Sequence, residues 1–206
     1  MPRMPPAPRT WPLNWLKAFC EPVNRQDLIP LAQSCGAHRA ALVTISQDVA
    51  FDPVFRDICA SNACGQYGAC HMCPPDVGNI HELIAQASQY DTGLLYQSVG
   101  QLEDSFDIEG MLLAARLQND IAVRIREQLQ HLPGLLHLST GGCRICERCT
   151  KPVGLPCISP EMALSSLEAY GIDVYKTASK AGLKYHHGEN TVTYFGMVFF
   201  KEYHLA

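Results

Sequence analysis

The segment Gly142–Pro160, GCRICERCTKPVGLPCISP, constrains the chain more than any other. It sets Cys143, Cys146 and Cys149 two residues apart, and Cys157 follows after seven more. Two intervening residues form a tight turn and little else, so the first three thiols must converge on one point. A cubic iron–sulfur cluster uses that arrangement: one loop supplies three corners and a more distant cysteine the fourth. A disulfide does not need it, and zinc more often takes two separate C-x2-C hooks. The spacing therefore favours a cluster over zinc. Such a centre carries net negative charge, and Arg144, Arg148 and Lys151 stand in the loop to offset it. Gly141, Gly142 and Gly154 leave room for backbone amides to approach sulfur.

A second set lies upstream in CASNACGQYGACHMCPP. Cys59, Cys64, Cys70 and Cys73 are spaced four, five and two residues apart. Four thiols in so short a stretch again suggest one metal site. The spacing is less diagnostic: Cys70-His71-Met72-Cys73 is a hook that a cluster or zinc would accept, or a redox dithiol. A cluster is favoured here too, with zinc as the alternative. His71 is expected at the surface rather than as a ligand. Cys20 and Cys35 belong to no motif and read as small buried hydrophobes. The His186-His187 pair reads as a solvated turn, because adjacent side chains point apart. Asp104, Asp107 and Glu109 read as a solvated acidic loop.

Ten cysteines would mean a disulfide frame in a secreted protein. The N-terminal residues argue otherwise: prolines at 2, 5, 6, 8 and 12 interrupt any apolar core of a signal peptide. No stretch is apolar enough to span a membrane. The expected compartment is a reducing cytoplasm, where clustered cysteines are metal ligands or redox centres. A net charge of −4 argues against a dedicated nucleic-acid binder. Hydrophobic residues at 47% and charged residues at 17% suit a sizeable core.

Residues 1–20 read as a proline-rich arm, with Trp11 and Trp15 as anchors and a short helix at 14–19. Residues 21–206 read as one cysteine-rich domain. Its expected elements are helices at 26–34 and 79–88 and strands at 40–46 and 92–98. A long helix is expected at 111–132, with Leu113, Leu117, Ile121, Ile125 and Leu129 as its core stripe and Arg124 and Arg126 as a polar flank. A strand at 135–139 leads into the second cysteine loop. Ser159-Pro160-Glu161 then caps a helix to Tyr170. A helix at 174–181 and a central strand at 191–200 complete the chain. The class is α+β: a mixed or antiparallel sheet of about four strands, helices on one face, and two cysteine-rich loops at one end.

Three stretches together carry a family resemblance. They are Cys64-Gly-Gln-Tyr67-Gly68 leading to Cys73-Pro74-Pro75, Gly142-Cys143 through Cys149 to Pro156-Cys157, and Ser166-Leu-Glu168-Ala169 to Val174. The chain resembles the bacterial and archaeal family of predicted metal-binding proteins known as domain of unknown function 2284, from about Ala40 to Phe200. The resemblance implies metal binding through the cysteines. In the family pattern the Tyr-Gly segment reaches Cys-Pro-Pro without another cysteine, so Cys70 is a departure: a fourth ligand of the first set, or a bystander.

Three functions follow from these readings. The first is an iron–sulfur protein with one or two four-iron clusters that serves electron transfer with a redox partner protein. The second is a zinc-stapled interaction module. The third is a cluster-dependent enzyme with an open iron near Cys59–Cys73, which requires Cys70 to be a bystander.

Overall fold

The computed structural model describes residues 21–206. The expected N-terminal arm, its tryptophans, the helix at 14–19 and Cys20 lie outside the described residues. The elements in chain order are α1 (Arg25–Ser34), β1 (Arg39–Thr44), α2 (Ile45–Asp48), α3 (Phe55–Ala60), α4 (Ile80–Ala87), β2 (Thr92–Gln101), α5 (Ile108–Gln128), β3 (Leu136–Ser139), β4 (Ser165–Ser166), α6 (Val174–Lys180) and β5 (Thr191–Phe200). Among the described residues, no helix is long and apolar enough to cross a membrane.

The spine is the antiparallel β2–β5 pair, in register from Thr92↔Phe200 to Gln101↔Thr191. β1 pairs antiparallel with β2, β3 antiparallel with β5, and β4 parallel with β3, giving the order β1-β2-β5-β3-β4. β5 is thus central, as its aromatic and β-branched run suggests. The α+β class and mixed sheet match the expectation, with five strands rather than about four. The helices, however, cover both faces. Alternation along β2 and β5 sends Leu94, Tyr96, Val198 and Phe200 into one core, against α1 and α5. Leu95, Phe195, Met197 and Phe199 enter the other, against α4, α6 and a 3-10 turn at Glu168–Tyr170. A strand buried on both faces reads as a continuous apolar run, which is what GLLY and FGMVFF are.

Three elements differ from their sequence reading. α5 begins earlier, because Asp107 caps it: its carboxylate accepts from Gly110 N at 2.8 Å and Glu103 N at 3.0 Å. Those two amide bonds hold the Asp107 pKa below the usual carboxylate range. The core stripe on α5 also shifts. Residues four apart precess by about 40° per step on a 3.6-residue helix. Leu113 and Leu117 therefore swing out to solvent, while Ala114, Ala115, Gln118 and Ala122 join Ile121 and Ile125 inside. The alanines let the helix close on the sheet; a Cβ on Gly100 would lie 2.5 Å from that of Ala114.

The helix expected at 160–170 does not form. Only one turn follows Ser159, with its carbonyl accepting from Ala163 N at 3.0 Å. Residues 163–167 are then buried in succession, and Ser165 and Ser166 pair with Leu138 and Ser139. A ladder to β3 satisfies this backbone where a helix would have turned Leu164 or Leu167 to solvent. The expected stop holds: Gly171, at φ 72°, ends the turn in the left-handed region.

Beneath α5, Tyr96 Oη donates to His137 Nε2 at 2.7 Å, and both side chains are buried. Burial, then the charge of Arg126, pushes the His137 pKa down to about 3, so its imidazole is neutral. Gly196, opposite Tyr96, makes room for the phenol: a Cβ there would lie 2.3 Å from its hydroxyl oxygen.

Gly196→Ala must displace Tyr96, and it should lower the unfolding free energy by about 2 kcal/mol in denaturant titration. His137 gives a pH test. Between its ordinary value of 6.5 and about 3, the unfolded chain binds a proton that the folded chain refuses. Stability therefore falls as pH drops through that window, by up to about 1.4 kcal/mol per pH unit. His137→Leu should remove about one proton from the measured slope.

Candidate metal centre

The first cysteine loop starts inside a helix rather than after it. Cys59 sits in the last turn of α3. Asn62 then turns the chain in the left-handed region at φ 55°, with its Oδ1 accepting from Tyr67 N at 3.0 Å. Gly68 N donates to Pro74 O at 2.9 Å, which closes the loop over the Cys70–Cys73 turn, where Cys73 N donates to Cys70 O at 3.1 Å. Cys64 is exposed, Cys59 is half-buried, and Cys70 and Cys73 are buried.

The second loop leaves the end of β3. Arg144 folds back, its Nη1 donating to Gly142 O at 3.1 Å and Thr140 O at 3.4 Å. Thr150 ties the far side: its hydroxyl donates to Pro156 O at 2.8 Å, and its carbonyl accepts from Leu155 N at 3.2 Å. Cys143, Cys146, Cys149 and Cys157 are all half-buried. Cys143 sulfur accepts from the backbone amides of Ile145 and Leu164, yet burial outweighs them and raises its pKa.

The two loops pack against each other. Gln66 lies over Gly142, where a Cβ would come within 2.6 Å of Gln66 Oε1. Lys151 pairs with Asp76. His71 Nε2 lies 2.9 Å from Leu155 O and 3.4 Å from Thr150 Oγ1. His71 is therefore a bolt between the loops rather than a free surface residue. Arg144 and Lys151 likewise serve the loops' own architecture instead of standing free beside the thiols.

One cavity of about 20 Å³ lies at this junction, and it is lined by Cys70, Cys143, Cys146, Cys149 and Cys157. Cys70, grouped with the first loop by sequence, thus faces the second. It remains coupled to Cys73. A hydrogen bond with Cys73 chiefly, then backbone amides of Met72 and Cys143 and the Cys149 thiol, offset burial and hold the Cys70 pKa down to about 5. The same hydrogen bond, with burial, drives Cys73 the other way. A metal bound by these thiols would displace their protons. Charges on Cys70, then Cys64 and Cys59, also act on Cys73. Glu168 reaches these thiols from the turn after β4: burial raises its own pKa, and its charge acts on Cys59.

Among the described residues, no three His, Cys, Asp or Glu side chains stand close enough to hold one ion. A zinc bonded at about 2.3 Å to each sulfur needs its thiolates within about 4 Å of one another. A four-iron cube spreads them wider, one per corner. The thiol chemistry suits either group. The cavity as it stands has room for one water or ion, so a cluster requires the exposed 143–157 segment to move outward.

The remaining sequence candidates lie elsewhere. Cys35 is buried in the α1–α5 core as a small hydrophobe. His186 is exposed, whereas His187 lies 3.1 Å from Thr193 Oγ1 and edge-on to His38. Glu168 was not singled out for its contact with Cys59 by any spacing rule; only its place in the fold brings it to the first loop, and the approach of Gln66 to Gly142 likewise depends on the packing of the two loops.

A family model described as predicted metal-binding protein, DUF2284, matches residues 44–200, and the chain belongs to this family. Comparisons with curated proteins and with solved structures found no match.

His71→Ala removes the bond to Leu155 O while sparing every thiol. It should weaken metal retention at the second loop by about tenfold in chelator competition. Unchanged retention would mean that the loops stay docked without it.

Proposed function

We propose that the chain is an iron–sulfur protein that exchanges electrons with a partner enzyme, with Cys143, Cys146, Cys149 and Cys157 holding a four-iron cluster. The observation that carries the reading is the turning of all four second-loop thiols toward one cavity near the surface. Bound there, a cluster would supply one-electron chemistry. The chain's own contribution is to hold the thiols, to supply amide donors to Cys143 sulfur and to keep the centre near its surroundings. Val153, Leu155 and Ile158, exposed by 70%, 57% and 70%, form an apolar collar at the loop that suits a weak, transient redox partner. Cys59, Cys64 and Cys73 hold a second cluster or another metal, and Cys70 stands between the two sets. Nine free thiols among the described residues suit a reducing cytoplasm.

A second reading is a zinc-stapled module. The small volume of the cavity favours it, since about 20 Å³ suits a single ion around which the thiols need only draw together. One preparation decides between them. Protein purified anaerobically should be brown, contain iron and acid-labile sulfide, and bleach on reduction. Colourless protein with stoichiometric zinc overturns the cluster and leaves the staple. In the same assays Cys70→Ser reports on the first loop. Loss of half the iron makes Cys70 a ligand of one of the two sets; full retention leaves Cys59, Cys64 and Cys73 with an open position, as a cluster-dependent enzyme needs.

A further inference from the structure

Behind the second cysteine loop lies a larger cavity of about 310 Å³ that no cysteine lines. It opens between the C-terminal half of α5, the chain leading into β3, and the turn after Ser159. Leu129, Leu132, Leu135, Met162 and Val198 supply the apolar part of its wall. The volume is at the small end of the range for small-molecule sites.

Arg126 also lines it and is poorly satisfied. Its Nη1 is buried without a hydrogen-bond partner. Among the described residues, the ion pairs are Arg25–Glu202, Lys151–Asp76 and Lys176–Asp173, so Arg126 has no carboxylate in contact. Leaving a charged donor unmade inside a protein costs more than leaving a neutral one. The charge of Glu161 acts on Arg126 without an ion pair between them, which leaves Nη1 open to a ligand, and a guanidinium fork suits a carboxylate. The other basic group on the wall, His137, is neutral and already bonded to Tyr96. Only one positive charge is present. Glu127 and Glu161 lie exposed at the mouth, which disfavours a ligand with two or more negative charges.

We propose that this cavity binds a small monocarboxylate with an apolar body, its carboxylate on Arg126 and its hydrocarbon against Leu129, Leu132, Leu135 and Val198. The proposal is independent of which metal the cysteines hold. It has a consequence for them, because the Arg126 charge also acts on Cys143. A bound carboxylate would offset that charge on the inner side of the second loop.

The test is calorimetric titration of the full-length protein, metal retained, with hexanoate and its neutral isostere hexanamide. Hexanoate should bind saturably, and hexanamide at least about tenfold more weakly, as expected for loss of a charge-assisted hydrogen bond. Arg126→Met should lose hexanoate binding by a similar factor. Met162→Trp, which fills the cavity and keeps the guanidinium, should abolish it with the unfolding midpoint little changed; this variant decides if Arg126→Met fails to fold. Absence of saturable hexanoate binding, equal binding of hexanamide, or hexanoate binding that survives cavity filling overturns the proposal. Each of these readings stands whether the bound metal proves to be iron or zinc.

Discussion

Two long irregular loops hold each other in place, and the candidate metal centre depends on that mutual contact. Neither loop has a ladder or a long helix within it. Each is stiffened by short turns, and neither encloses its thiols alone. The bond from His71 to the Leu155 carbonyl and the Lys151–Asp76 pair join them across their rims. Gln66 over Gly142 joins them at the base. The exposed ion pair contributes little energy by itself. The buried contacts of Cys70 and the close approach at Gly142 contribute more, since they exclude water from between the loops.

The sheet sets where this meeting happens. β3 carries the chain into the second loop, and β4 takes it out again alongside β3, so both ends of that loop are anchored to one edge of the sheet. The first loop is anchored differently, through α3 and α4, which pack around the Glu168–Tyr170 turn. That turn follows β4 directly. A single segment, residues 165–171, thus touches the supports of both loops. Arg56 of α3 donates to its Ala169 carbonyl at 3.4 Å, and a Cβ on Gly171 would lie 2.8 Å from Ile84 of α4.

Much of this was legible in the residues, and the failures are instructive. Strong local signals survived: the aromatic run of β5, the glycine that ends the turn at 171, and the helical spacing of α4. The spacing of the cysteines also marked the two loops that pack together. What spacing could not show was partition. Cys70 and Cys73 stay hydrogen-bonded across the C-x2-C hook, yet Cys70 also lines the cavity of the second loop, which no spacing within the first loop reveals. The α5 stripe held at Ile121, Ile125 and Leu129 and failed at Leu113 and Leu117, where the sheet required the small side chains of Ala114 and Ala115 for close approach. The helix after Ser159 failed because its cap signal is local and the pairing of Ser165 with Leu138 is not.

β3 is four residues long, and this brevity makes it a ruler. Strand residues advance about 3.3 Å each and alternate faces. His137 and Ser139 face α5, whereas Leu136 and Leu138 enter the opposite core. A slip of one residue would exchange those faces, burying the imidazole against the other core and lifting Leu138 under α5. It would also move the origin of the cysteine loop by one strand step, enough to carry Gly142 out from under Gln66. The residues within the loop can therefore vary more freely than the number of residues that precede it, and insertions between Leu135 and Gly142 are the changes this architecture tolerates least.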